Sequence, residues 1–126
     1  MQSKLLALLQ PDHQSRPQQA LSEEVIFHSP VRDYHGRADV AHILSTISTV
    51  LDQVNARREL ATDREIVTII TASHRGQQMT GVLYETHDAA GHIDRAMLLL
   101  RPLSTLRETI SHMVAALDRS PLPSSY

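Results

Sequence analysis

Residues 81–117, GVLYETHDAAGHIDRAMLLLRPLSTLRETISHMVAAL, leave the chain little freedom of architecture. Met79–His87 and His92–Arg101 have strand composition, and Asp88-Ala89-Ala90-Gly91 between them has an Asp to start a turn and a Gly able to take positive φ at its end. Two strands joined that tightly pair antiparallel. Pro102 stops the second, because proline has no N–H to give a sheet ladder. Ser104 or Thr105 can then cap a helix, and Thr105 with Glu108 fits a capping box. Leu103, Leu106, Ile110, Met113 and Leu117 recur on one face of that helix, which must be laid on a sheet or another helix to leave water.

The rest of the chain supplies more of the same two layers. Ser3–Gln10 and Gln18–Glu24 read as short helices, the first stopped by Pro11, with the polar stretch PDHQSRP between them. Val25–His28 has strand composition and ends at Pro30. From Ala38 to about Asn55, the residues Val40, Leu44, Ile47, Leu51 and Val54 recur at alternating spacings of four and three, which predicts a helix of about five turns. ARRELATDR reads as a polar connection, and Glu65–Ser73, rich in Ile, Val and Thr, as a well-covered strand. HRGQQ turns the chain into Met79–His87, so the last three strands form an antiparallel meander. The fold class is α+β, helices on one face of a curved, mostly antiparallel sheet. A single domain over residues 1–126 is expected at this length, with 119–126, RSPLPSSY, as a flexible tail.

Composition closes off several functions. With no cysteine there is no disulfide, thiolate metal site or cysteine nucleophile. A net charge of −2 and no Lys/Arg cluster beyond Arg57-Arg58 argue against a nucleic-acid surface, and 3% aromatics leave few platforms for stacking bases. No apolar run approaches the ~20 residues that span a bilayer, and MQSKLLALLQPD is too short and too soon charged for a signal peptide. A soluble, cytoplasmic protein is expected. Among the eight histidines, His87 and His92 with Asp88 form the tightest group, but they flank a turn and no helix holds two of them at zinc-site spacing. No metal and no cofactor is expected.

VIFHSP (Val25–Pro30), Tyr34-His35-Gly36-Arg37 before the long helix, DAAGHI (Asp88–Ile93) and Arg101-Pro102-Leu103, in this order and spacing, resemble the NTF2-like superfamily and its SnoaL-like group over residues 3–118. The resemblance implies a cone-shaped barrel, a bent sheet wrapped around helices and enclosing a pocket, commonly paired as a homodimer through the outer face of the sheet. The family includes ketosteroid isomerases, SnoaL-type polyketide cyclases, limonene-epoxide hydrolases and binding proteins, so function has to be read from the site. Where the isomerases carry an Asp-Pro base this chain has Ser29-Pro30, and a serine with no adjacent base cannot abstract a carbon-bound proton near neutral pH. The positions of their oxyanion-hole tyrosine and protonated aspartic acid are taken by about Leu5 and Leu83. The hydrolases' Arg-x-Asp strand has no counterpart in Met79–His87, which contains no arginine, and Asp94-Arg95 has the wrong order. The acidic residue that SnoaL-type cyclases use on a late strand has stand-ins in Glu85 and Asp94.

With unbroken alternation Leu83, Glu85 and His87 share a face, as do Asp94, Ala96, Leu98 and Leu100, and alignment on the isomerase pattern turns both sets inward. Glu85 and Asp94 are then the catalytic candidates, two carboxylates at one cavity, although both also lie near a turn where acids are commonly just solvated. The ligand pocket is expected to involve Phe27, Ser29, Tyr34, Leu83, Ala96, Leu98 and Leu100. Tyr34 and Ser29 are either hydrogen-bond donors to a ligand or a rim tyrosine and a strand-end serine. Val82, Tyr84, Met97 and Leu99 fall on the outer face, and an aliphatic sheet surface self-associates, so a homodimer follows from the residues as well. The expected function is binding of a small apolar molecule. The alternatives are a SnoaL-type cyclase or isomerase, or an epoxide-hydrolase-like enzyme, using an acidic residue, and a protein-interaction module with a vestigial pocket.

Overall fold

The computed structural model describes residues 2–10 and 17–125. In chain order they form helices α1 (Lys4–Leu8) and α2 (Pro17–Ala20), strands β1 (Leu21–His28) and β2 (Asp33–His35), and helix α3 (Arg37–Val50). Strands β3 (Asp52–Ala61), β4 (Glu65–His74), β5 (Gln77–His87) and β6 (Ile93–Arg101) follow, then helix α4 (Leu103–Arg119). Most of the polar stretch expected after α1 lies outside the described residues. One curved six-stranded sheet runs in the order β2-β1-β6-β5-β4-β3, antiparallel except where β1 meets β6. The α+β class and the curved sheet are as expected, but the sheet stays open between its β2 and β3 edges and does not close into a barrel.

Three local expectations are corrected. The helix expected over Ala38–Asn55 ends at Val50; Leu51 is already extended, and Gln53 takes a φ of 50° as the chain reverses. Leu51 and Val54 are buried, as the apolar stripe implied, but from a cap and a strand. ARRELATDR is mostly strand: β3 is an edge strand with only Val54 buried, so the meander has four strands, not three. An edge strand exposed on both faces has no alternation to announce it. The expected helix Gln18–Glu24 stops at Ala20, where β1 begins.

The core lies between the helices and the concave face of the sheet. Leu5 of α1 and Leu9 at its end, and Val40, Ile43, Leu44 and Ile47 of α3, pack with Val25 and Phe27 of β1 and the inward residues of β4 to β6, such as Ile70, Leu83 and Leu98. Each such side chain contributes about 1.5–3 kcal/mol on leaving water. On α4 only Thr105 and Thr109 are wholly buried, while Leu106, Ile110, Met113 and Leu117 are half-buried. The expected capping box is not formed: Pro102 is the cap residue, and Thr105, inside the helix, accepts a 2.9 Å bond from Thr109 Oγ1 on its carbonyl. Beyond α4 the chain runs beside α3. His42 Nε2 donates to the Ser120 carbonyl at 2.7 Å, and Ser124 donates to Asp39 through its N–H and hydroxyl at 3.0 and 2.6 Å.

Candidate functional site

An apolar cavity of about 90 Å³ lies where α3, α4 and β6 meet the loop between β1 and β2. The loop contributes Ser29, Pro30 and Val31, β2 contributes Tyr34, and β6 contributes Leu98 and Leu100. Of the expected pocket residues, Ser29, Tyr34, Leu98 and Leu100 therefore line it. Phe27, Leu83 and Ala96 are fully buried in the core behind and are not among its lining residues. Sequence reasoning missed the helical walls, Ile43 and Ile47 from α3 with Leu51 at its end, and Ile110, Met113 and Leu117 from α4. Their periodic apolar faces were legible; that two helices would share one cavity was not.

The three polar residues of this wall differ in availability, and the Thr109 hydroxyl is taken by the Thr105 carbonyl of its own helix. Ser29 is used up by its own turn: its hydroxyl donates to the Arg32 carbonyl at 2.8 Å and accepts from the Val31 and Arg32 N–H groups at 3.2 and 3.1 Å. Tyr34 stacks on Phe27, carries the Arg32 guanidinium 4.7 Å over its ring, and has no hydroxyl partner among the described residues. Burial pushes its pKa up, against the pull of Arg32, so it stays a neutral donor at neutral pH.

Glu85 and Asp94 do not meet. In the β5–β6 ladder Thr86 pairs with Arg95 but His87 pairs with Ile93, so Asp94 is an extra residue at a bulge. The bulge leaves both Asp94 and Arg95 exposed and returns Ile93 to the interior. Asp94 accepts a hydrogen bond from Thr86 on the outer face. Glu85 is completely buried on the inner face, displaced from the cavity toward the turn end of β5. Its Oε1 accepts from Ser3 Oγ, and its Oε2 accepts from the Leu5 N–H at 3.3 Å and faces His87 Nε2 at 2.8 Å. Ser3 also caps α1 by accepting from the Leu6 N–H. The order Ser–Glu–His is not that of a nucleophilic triad, in which histidine stands between acid and serine, so nothing here activates Ser3. No sequence signal links Ser3 to Glu85. Near the turn, His92 Nδ1 lies 3.9 Å from Asp88, while His87 is turned away to Glu85.

The outer face is organised by register. Met97, Tyr84, Val67 and Leu60 form one cross-strand row, and Leu99, Val82 and Ile69 the next. Leu60, Ile69 and Leu99 are 51%, 40% and 50% exposed, which is a large apolar fraction for a sheet surface facing water. Tyr84 donates to Glu65 at 2.5 Å, a bond that raises the pKa of its hydroxyl.

No protein-family model and no curated protein matches the chain. Solved structures do. A steroid delta-isomerase from Pseudomonas aeruginosa is 26% identical with a TM-score of 0.81, covering 91% of this chain and 85% of its own. An uncharacterised protein with a cystatin-like fold from Silicibacter pomeroyi is 22% identical, with a TM-score of 0.79 over 82% of this chain and 75% of its own. An NTF2-like protein of unknown function from Mesorhizobium loti is 16% identical, with a TM-score of 0.63 over 70% and 77%. The open curved sheet with its helices in the concavity is common ground with these neighbours, and the fold of the chain is that of NTF2-like proteins.

Proposed function

We propose that this protein binds a small apolar molecule in the cavity under α4, with the Tyr34 hydroxyl as its single polar contact. The observation that carries the reading is a mainly aliphatic wall in which one neutral hydroxyl, that of Tyr34, lacks a protein partner among the described residues. A steroid, the class named for the P. aeruginosa neighbour, has that chemistry, but the residues that stand in for an isomerase's machinery here are Ser29, Leu5 and Leu83. At about 90 Å³ the cavity is smaller than the roughly 300 Å³ of common ligand sites, so such a ligand enters only if α4 moves outward. A panel of sterols, terpenoids, aromatic polyketides and fatty acids, screened by thermal shift and native mass spectrometry, tests the proposal. At least one class should raise the Tm in proportion to ligand concentration, Tyr34→Phe should weaken it about tenfold, and Ile110→Trp should abolish it. Binding that survives Ile110→Trp unchanged, or no shift across the panel, refutes it.

The two apolar rows of the outer face support a homodimer through the sheet, SnoaL-like in arrangement; light scattering should give a dimer that Leu99→Lys converts to monomer. The same rows would serve the alternative of a protein-interaction module. An enzymatic reading rests on the buried Glu85–His87 contact, at a distance from the apolar cavity, and not on Asp94. No helix among the described residues is long and apolar enough to cross a membrane, and a cytoplasmic location is proposed from the lack of cysteine.

A further inference from the structure

His74, at the end of β4, and His112, in the middle of α4, meet edge to edge. Nε2 of His74 and Nδ1 of His112 are 2.5 Å apart, with ring centroids at 4.6 Å and planes at 49°. His74 is buried, and its Nδ1 lies 3.1 Å from the carbonyl of Val50, where α3 ends. A carbonyl only accepts, so Nδ1 carries the proton and Nε2 of the neutral ring is a lone pair. His112 Nδ1–H must then be the donor between the rings. The pair can gain one proton on Nε2 of His112 and keep that bond. A second proton has to go on His74 Nε2, where two N–H groups and two positive charges would oppose each other at the same contact.

What this contact holds is the cover of the cavity. Six of the residues lining it, from Leu106 to Leu117, belong to α4, yet most of that helix's apolar face is only half-buried. Among the described residues, the other hydrogen bond from an α4 side chain to the body is a 3.9 Å contact between Thr109 and the Met79 sulfur. Resting on the binding reading above, we propose that His74 and His112 form a proton-sensitive latch that keeps α4 closed over the apolar cavity, shut with zero or one proton on the pair and released by two.

The charged groups around the pair are Glu108, one turn earlier on α4, Asp52 at the start of β3 beside Ser73, and Arg75 in the turn after His74. None makes an ion pair with either ring among the described residues. His42, which holds the chain after α4 by donating to Ser120, keeps its donor when protonated, so acid leaves that tether in place.

Amide hydrogen exchange by mass spectrometry at pH 7.5 and pH 5, corrected for intrinsic rates, reads the latch, and Nile red fluorescence reads the cavity in the same samples. In the wild type, exchange across α4 should speed up on the order of tenfold at the lower pH, the central strands should not change, and Nile red uptake should rise. His112→Asn keeps an N–H near the position of Nδ1 but cannot take the proton, and should show no acid step; His112→Gln replaces it if the Asn variant does not fold. Equal protection of α4 at both pH values, or the same acid step in the variant, overturns the latch. If α4 loosens in acid but Nile red binds at neither pH, the cavity reading fails and the latch stands. If Nile red binds equally at both while α4 exchange is constant, the cavity stands and the latch fails. Stabilisation by zinc chloride at neutral pH that His112→Asn abolishes would make the pair a metal site and overturn the latch.

Discussion

Glu85 offers the sharpest test of how the N-terminus is held. Its carboxylate has no exposure to water and is surrounded by the Ser3 hydroxyl, the Leu5 N–H and His87 Nε2. Hydrogen bonds to a charged acceptor are worth about 1.5–3 kcal/mol each, and they are not additive when they share one acceptor. Glu85→Ala strands all three partners at once and should cost about 4 kcal/mol, a large part of the roughly 5–15 kcal/mol that holds a domain folded. Glu85→Gln keeps the shape and one acceptor oxygen but aims an amide N–H at a donor, and should cost about 2 kcal/mol. In a chain of this size that is a fall in Tm of roughly 15 °C for the Ala variant and about 7 °C for the Gln variant. Urea titration gives the free energies, and exchange at the Leu5 and Leu6 amides should rise more than elsewhere as α1 loosens. Ser3→Ala combined with Glu85→Gln should be less than additive by about 1 kcal/mol, because both remove the same bond. A loss under about 1 kcal/mol for Glu85→Ala, or strict additivity in the cycle, would refute the claim that α1 is docked through this carboxylate.

Thr68, on the inner face of β4, is fully buried and its hydroxyl has no partner among the described residues, so Thr68→Val should stabilise the fold by about 1 kcal/mol in urea; destabilisation would mean the hydroxyl has a partner. At Gly81 a Cβ would fall 2.1 Å from the Leu99 carbonyl oxygen and 2.8 Å from Leu100 Cδ2, so Gly81→Ala must push β5 and β6 apart. A loss of roughly 2–3 kcal/mol is expected, and one below about 0.5 would show that the strands do not approach so closely. Asp88 accepts from the backbone N–H groups of His92 and Ala90 at 2.9 and 3.0 Å, and these bonds, His92's foremost, hold its pKa below the ordinary value. A depressed folded pKa means its stabilisation is present above the unfolded value, about 3.9, and is lost as pH falls through the folded one. The stability gap between wild type and Asp88→Asn should therefore be constant near neutrality and shrink below about pH 4. A gap that does not change with pH would exclude that role.

What the sequence determined by itself is whatever depends on a few neighbouring residues. The Asp88–Gly91 turn forms as its residues require: Asp88 accepts the turn's N–H groups and Gly91 takes a φ of 86°. The half-buried face of α4 and the buried face of α3 follow from apolar spacing, as does the strand over residues 65–73. Ser29 behaves as the strand-end serine that its position before Pro30 suggested. β3 escaped detection because it is exposed on both faces and a strand with one buried residue has no period to read.

Only the tertiary structure decided the site. Asp94 points outward because one extra residue in β6 reverses the alternation, and no local pattern marks where a bulge falls. Glu85 finds Ser3 across 82 residues and His74 finds His112 across 38, contacts set by how α1 and α4 dock on the sheet. Periodicity tells which face of each element leaves water. Which faces then share a cavity, a carboxylate or a proton depends on docking, because those contacts join residues whose separation along the chain carries no signal.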